Sequence, residues 1–331
     1  MVGEMVLGTV FVGPTSPREP KSILARRLVR SRGLGRTDRR PPTPHAEAEL
    51  LVTPTTPTSA PQATDTHASG ETQGQSAAPA GFSELIRQVS EIDARVRPQA
   101  LFDRHATPTH VKLDNFERYV RRQALSRLLA RYELFKMTMD VKGSIVECGV
   151  HHGGGLFAWA KLSAALEPMA IHRKVIGFDT FEGFPEVAGA DAAAHAANPE
   201  LRKGGFAAAS GTFEELMECT AEFDGNRFLN QFPKVELVRG DATKTIPAYV
   251  AENSHLLVSI LFLDFDIYAP TKVALEHLLR RVPKGGIVAF DEINNAAWKG
   301  ETVAMMEVLG SLNSYAVQKF PFDPNIAYIR L

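Results

Sequence analysis

A chain of 331 residues, 44% of them hydrophobic, can bury the core of one large α/β domain or of two small ones. Its 37 Lys and Arg balance 38 Asp and Glu, which excludes the broad positive field of a protein that lives on nucleic acid. The two cysteines, Cys148 and Cys219, supply neither a disulfide framework nor zinc spacing nor a CxxC pair, so the expected setting is a reducing cytoplasm.

Residues 1–80 hold ten of the 21 prolines, with Thr, Ser, Gln and Gly between them. Such a stretch buries too little apolar surface to offset its ordering entropy, so a disordered arm is expected over residues 1–81. From Arg18 to Arg40 it is arginine-rich, the composition of a solvated tail or a weak anion-binding arm. The opening MVGEMVLGTVFVG carries Glu4 where a signal peptide carries positive charge, and no apolar run approaches the roughly 20 residues of a membrane span. A soluble protein with no membrane partner is expected.

Periodic structure begins at Phe82, and one domain is expected over residues 82–331. Its first clear element is an amphipathic helix in which Leu125, Leu128, Leu129 and Tyr132 recur at helical spacing. Short β-rich runs then alternate with helical patterns: SIVECGV (144–150), KVIGFD (174–179), VELVRGD (235–241), SILFLDFD (259–266) and GIVAFDE (286–292). These five read as buried parallel strands. Between the last two, Leu275, Leu278, Leu279 and Val282 mark a helix face that Pro283 to Gly286 terminate. Residues 186–232 form a long insertion, including a helical TFEELMECTAEF, of the kind that often serves as a lid over an acceptor. The closing FPFDPNIAYIRL reads as a pair of final antiparallel strands. Together these predict an α/β fold: a doubly wound sheet, mostly parallel, with an antiparallel C-terminal strand.

In such sheets ligands sit beyond the carboxyl ends of the strands, so the residues closing each run carry the information. The first end, Glu147-Cys-Gly149-Val-His-His-Gly153-Gly154-Gly155, lets a ligand approach backbone at a helix start, but it lacks the GxGxxG spacing of a dinucleotide site. The second places Asp179 where it can accept from ribose hydroxyls. In the third, Asp241 before Ala242 offers an acceptor for an adenine amine, with Gly240 permitting close contact. Either aspartate alone could equally be a helix cap or turn residue. At the fourth end, strand alternation would send Asp264 and Asp266 to one face and Leu263 and Phe265 to the core. Asp291 and Glu292 of the fifth end complete four acids in one crevice, which repel unless a cation or shared protons offset them. Oxygen ligands of this hardness suit Mg²⁺, Mn²⁺ or Ca²⁺. Adjacent His151 and His152 diverge on a loop and are not read as a chelating pair, Cys148 is read as buried filler, and Tyr268 and Trp298 are candidate acceptor contacts that packing would equally explain.

VECGVHHGGG, FDTFEGFP, LVRGDATKTIP, LDFDIYAPT and GGIVAFDEINNAAWKGE, in that order, resemble the macrocin O-methyltransferase family, and the last two are most similar to its dTDP-6-deoxyhexose 3-O-methyltransferase branch. The resemblance covers about Leu113 to Leu331. It implies a class I methyltransferase fold, S-adenosylmethionine as methyl donor, Mg²⁺ or another divalent cation, a deoxysugar acceptor and a homo-oligomer. Laid on matching positions, it implies Glu147, Gly149 and Gly153 at the methionine end, Asp179 at the ribose, and Asp241 with Ala242 at the adenine. Asp264, Asp291 and Glu292 would bind the metal, with Asp266 as general base. The family often has paired aspartates where Asp291-Glu292 stands. Rival readings are a catechol or phenol methyltransferase, a nicotinamide-dependent dehydrogenase, and a non-catalytic S-adenosylmethionine-binding protein.

Overall fold

All five β-rich runs form strands, and each strand is shorter than its run: β1 (Ser144–Cys148), β2 (Val175–Asp179), β3 (Val235–Arg239), β4 (Val258–Leu263) and β5 (Ile287–Phe290). The computed structural model describes residues 89–187, 191 and 198–331. The expected arm over residues 1–81, and the domain start at Phe82, lie outside the described residues. Ahead of the sheet come α1 (Val89–Arg104), α2 (Thr109–Asp114) and α3 (Arg122–Met137). The strands alternate with α4 (Gly154–Leu166), α5 (Thr212–Gly225), α6 (Ala242–Glu252), α7 (Tyr268–Leu278) and α8 (Lys299–Leu309).

β1 to β5 pair in parallel in the order β3-β2-β1-β4-β5. The final hairpin completes the seven-stranded sheet: β7 (Ala327–Arg330) runs antiparallel to β5, and β6 (Gln318–Lys319) antiparallel to β7 at the edge. Strand order reverses at β1, which is flanked by β2 and β4, so the crevice for a ligand opens beyond the carboxyl ends of these strands.

Period-two alternation sorts the side chains into two cores. Val146, Ile176, Leu261, Leu263, Val288 and Phe290 face α6 and α7, where Ile246, Leu275 and Leu278 meet them. Ile145, Val175, Ile260, Phe262 and Ile287 face α3 and α4, with Trp159 edge-on to Phe262 at 5.8 Å. Each fully buried side chain of this size stabilises the fold by about 1.5–3 kcal/mol.

Two expectations need correcting. The helix predicted around Leu125 exists as α3, but its buried face is Ala130, Arg131, Leu134 and Phe135, while Leu129 is 44% exposed. The leucine spacing misled because two arginines of this helix face inward, toward the strand ends. Likewise β4 stops at Leu263, so Asp264 and Asp266 do not lie on an alternating strand; Asp266 turns through a left-handed backbone (φ 64°).

Candidate active site

The crevice is assembled by close backbone crossings. The Asp264 amide donates to the Cys148 carbonyl at 2.8 Å, and a Cβ on Gly149 (φ 95°) would stand 1.9 Å from the Asp264 carbonyl oxygen. Only glycine lets the ends of β1 and β4 touch there. Gly153 begins α4 with φ 79°, and a Cβ would stand 2.4 Å from Leu216 of α5. Gly154 next to it faces open space.

Asp179 organises the loop between β1 and α4. Its Oδ2 accepts the amides of Val150 (2.7 Å) and His151 (2.8 Å), and its Oδ1 accepts the amide of Phe181 (2.7 Å). Asp241 is the N-cap of α6: its Oδ1 accepts from the Thr243 amide at 3.0 Å and hydroxyl at 2.7 Å, and Lys244 lies 3.1 Å from Oδ2. Burial opposes ionisation there, but these bonds hold the Asp241 carboxyl below its ordinary range. The cap and turn roles open to both aspartates are therefore realised. Ala242 packs its side chain into the core, leaving only backbone for a ligand. His151 and His152 stack edge-on at 4.2 Å, and burial followed by the neighbouring His152 lowers the His151 pKa.

At the sheet centre, Glu147 is buried and accepts from Arg131 Nη2 at 3.1 Å through Oε1, while its Oε2 has no hydrogen-bond partner. Gly155 lies against the pair, where a Cβ would stand 1.9 Å from Glu147 Oε1 and displace it. Burial, only partly offset by Arg131, pushes Glu147 up to about 7.

At the ends of β4 and β5, Asp264 and Asp291 converge on one nitrogen. Arg127 Nη2 lies 3.3 Å from Asp264 Oδ2 and 2.6 Å from Asp291 Oδ1, and Arg131 Nη2 approaches the same Asp264 oxygen at 3.9 Å. Burial works against the Arg127 charge, yet Asp291 and Asp264 together hold its pKa well above the ordinary value. Burial and then Asp291 push Asp264 far up; burial, then Asp264 and Glu301, do the same to Asp266. Glu292 is raised to about 7 by burial and then Asp291. Its carboxylate turns to Asn295, and to Asn325 at 3.4 Å, so it does not join the pair around Arg127. Beneath both loops lies Glu301 of α8, fully buried and accepting backbone amides from each.

Among the described residues, no three His, Cys, Asp or Glu side chains stand ready around one point. Carboxylate oxygens are the donor type a hard cation takes, and here Asp264 and Asp291 share the cationic Arg127 nitrogen between them. Arg127, Arg131 and Glu301 were missed from the sequence. The only signal was two arginines four apart on one helix face and a glutamate in a first helical turn. Tyr268, a candidate acceptor contact, instead hydrogen-bonds Glu307 (2.5 Å) and Lys272 (2.9 Å). Trp298 packs against Phe206 (5.4 Å) and Phe184 (6.3 Å), tying the loop after β5 to the segment after β2. Buried Asp191 of the long insertion accepts the Tyr268 amide at 2.7 Å.

The sheet order and its strand-end crevice are those of class I methyltransferases. The family model for macrocin-O-methyltransferase (TylF) matches residues 120–308, and the chain belongs to that family. It is similar to the crystal structure of CalS11, calicheamicin methyltransferase, at 33% identity and TM-score 0.71, over 78% of this chain and 99% of that one. The apo structure of CalS11, described as a TDP-rhamnose 3'-O-methyltransferase, matches at 31% identity and TM-score 0.64, over 74% and 95% of the two chains. An 8-demethyl-8-(2,3-dimethoxy-alpha-L-rhamnosyl)-tetracenomycin-C 4'-O-methyltransferase of Streptomyces olivaceus is 35% identical over 156 residues, 46% of this chain and 53% of that protein. No helix among the described residues is long and apolar enough to cross a membrane.

Proposed function

We propose that this chain is a divalent-cation-dependent O-methyltransferase that moves the methyl group of S-adenosylmethionine to a hydroxyl of a deoxysugar, nucleotide-linked or glycosidic. The observation that carries the reading is the convergence of Asp264 and Asp291 on a single cationic nitrogen, with Asp266 two residues after Asp264 in the same loop. Family membership supports the methyl donor, and the sugar named for the similar proteins supports the acceptor class. The domain is taken as residues 82–331, cytoplasmic and homo-oligomeric, with the arm over 1–81 outside the catalytic unit.

The unpartnered Oε2 of Glu147 and the open space at Gly154 fit the methionine end of the donor. Gly149 and Gly153 shape the same loop. Asp179 would receive the ribose and Asp241 with the Ala242 backbone the adenine. Asp264 and Asp291 would hold the cation, with Glu292 joining if its carboxylate leaves Asn295. A sugar hydroxyl is far less acidic than any carboxylic acid, so a carboxylate alone is a poor match for its proton. A bound divalent cation supplies the charge that lowers the hydroxyl's pKa and fixes its approach. Asp266 then takes the hydroxyl proton as the oxygen–methyl bond forms and the sulfur–methyl bond breaks. The excess of carboxylates also favours a positively charged sulfonium.

The test is methyl transfer followed by mass spectrometry, with S-adenosylmethionine and a panel of nucleotide deoxysugars, glycosides and catechols, each with and without chelator. Transfer to a deoxysugar that chelator abolishes is expected. Transfer to phenols alone, surviving chelation, would replace the sugar reading with the phenol one.

A further inference from the structure

We propose that Glu301 is a positioning residue: one buried carboxylate that fastens the loop bearing Asp266 to the loop bearing Asp291 and Glu292, making two strand ends a single site. Its role in turnover rests on the function proposed above. Glu301 lies in the first turn of α8 and is fully buried. Its Oε1 accepts the amides of Phe265 at 3.2 Å and Asp266 at 3.3 Å, and its Oε2 accepts the amide of Glu292 at 3.0 Å. The first two donors follow β4 and the third follows β5, so the carboxylate bridges segments that no local turn connects.

Two further features suit this role. Asp266 occupies a left-handed conformation, uncommon for a non-glycine residue, and its amide is one of those held by Glu301. Before Glu301 stands Gly300, where a Cβ would lie 2.4 Å from the Tyr268 nitrogen and 2.7 Å from the Ile267 carbonyl carbon. A side chain there would push the start of α8 off the loop after Asp266. Glycine at 300 thus lets the carboxylate at 301 reach both loops.

Three N–H donors are met by two acceptor oxygens. In Glu301→Gln the amide oxygen can keep the pair of donors from Phe265 and Asp266, while its NH₂ must then face the Glu292 amide. The isosteric change therefore releases the β5 loop first, whereas the shorter Glu301→Asp loosens both.

The experiment compares full-length wild type, Glu301→Gln and Glu301→Asp by Mn²⁺ titration, S-adenosylhomocysteine calorimetry, backbone amide exchange and steady-state kinetics. In Glu301→Gln, Mn²⁺ affinity and kcat are expected to fall about tenfold or more, with KM for S-adenosylmethionine and S-adenosylhomocysteine affinity held. Amide exchange should accelerate at Glu292 but not across the sheet. A role in bulk folding alone would lower the active fraction and leave Mn²⁺ affinity per folded molecule unchanged. Wild-type Mn²⁺ affinity together with wild-type exchange in Glu301→Gln overturns the proposal. If neither variant folds, wild-type exchange decides: fast exchange at Phe265, Asp266 and Glu292 overturns the clamp, and exchange only through global unfolding upholds it. A wild type that takes up no Mn²⁺ and transfers no methyl refutes the proposed function, while exchange at these three amides still judges Glu301.

Discussion

Beyond β2 and β3, Asp179 and Asp241 are bound to neighbouring backbone: Asp179 gathers three amides, and Asp241 caps a helix. Beyond β4 and β5, two arginines from α3 are the cations that meet Asp264 and Asp291, and among the described residues no backbone amide is bonded to either carboxylate. The first half holds carboxylates that are electrically settled and geometrically fixed. The second is crowded with charge, and Glu301 beneath it accepts backbone amides from both of its loops. The contrast separates carboxylates bonded to neighbouring backbone from carboxylates balanced by side-chain cations across the fold.

Replacing Asp266 by Asn tests the charged half most severely. With the proton acceptor gone, kcat should fall by about 10²–10⁴, while calorimetry finds S-adenosylmethionine affinity unchanged. Full activity in Asp266→Asn would remove it as the base and leave the crowding without a catalytic purpose.

Next in size is the response of the metal-free protein to pH. Burial pushes Glu292 and Glu147 up to about 7 from an ordinary 4.5, and it raises Asp264, Asp266 and Glu301 as well. Between these values the folded chain keeps protons that the unfolded chain has released. Stability is therefore greatest at acid pH and is lost as pH rises through the folded pKa values, by up to about 1.4 kcal/mol per pH unit for each proton kept. In chelator the thermal midpoint should fall between pH 5 and 8, and added Mg²⁺ should restore it most at the alkaline end. A midpoint that climbs with pH in chelator would contradict the excess of charge.

The sequence made the settled architecture legible and much of the tension in it illegible. Apolar runs such as VIGF and SILFL could only be buried strands, and acids closing them could only lie at the sheet's carboxyl edge. What failed was each feature set at long range. Arg127 meets Asp264 across 137 positions, so its inward orientation has no local signature, and the leucines of α3 pointed to a different face. Strand alternation carried through to Asp266 because nothing nearby shows that a carboxylate 35 positions on takes its amide and turns the backbone left-handed.

On the settled side, Asp179→Asn keeps the shape of the side chain but turns one acceptor into a donor facing an amide. Leaving a half-buried N–H unmatched should cost about 1 kcal/mol by urea denaturation, and the loop between β1 and α4 should lose protection from exchange. A neutral result would mean that water or a neighbour replaces the lost acceptor, weakening the division between the halves.

Asp241→Asn carries the smallest expected effect. Asn caps a helix about as well as Asp, so stability should stay within about 0.5 kcal/mol of wild type. Ligand binding separates its two roles. The carboxylate has one oxygen on Thr243 and another, beside exposed Lys244, that can accept from an adenine amine. The amide has one oxygen and must serve either the cap or the ligand. Affinity for S-adenosylhomocysteine should therefore fall about fivefold, the worth of one hydrogen bond of about 1 kcal/mol, at unchanged stability. Unchanged affinity would make Asp241 a cap and nothing more, and would leave adenine recognition to the Ala242 backbone and Gly240.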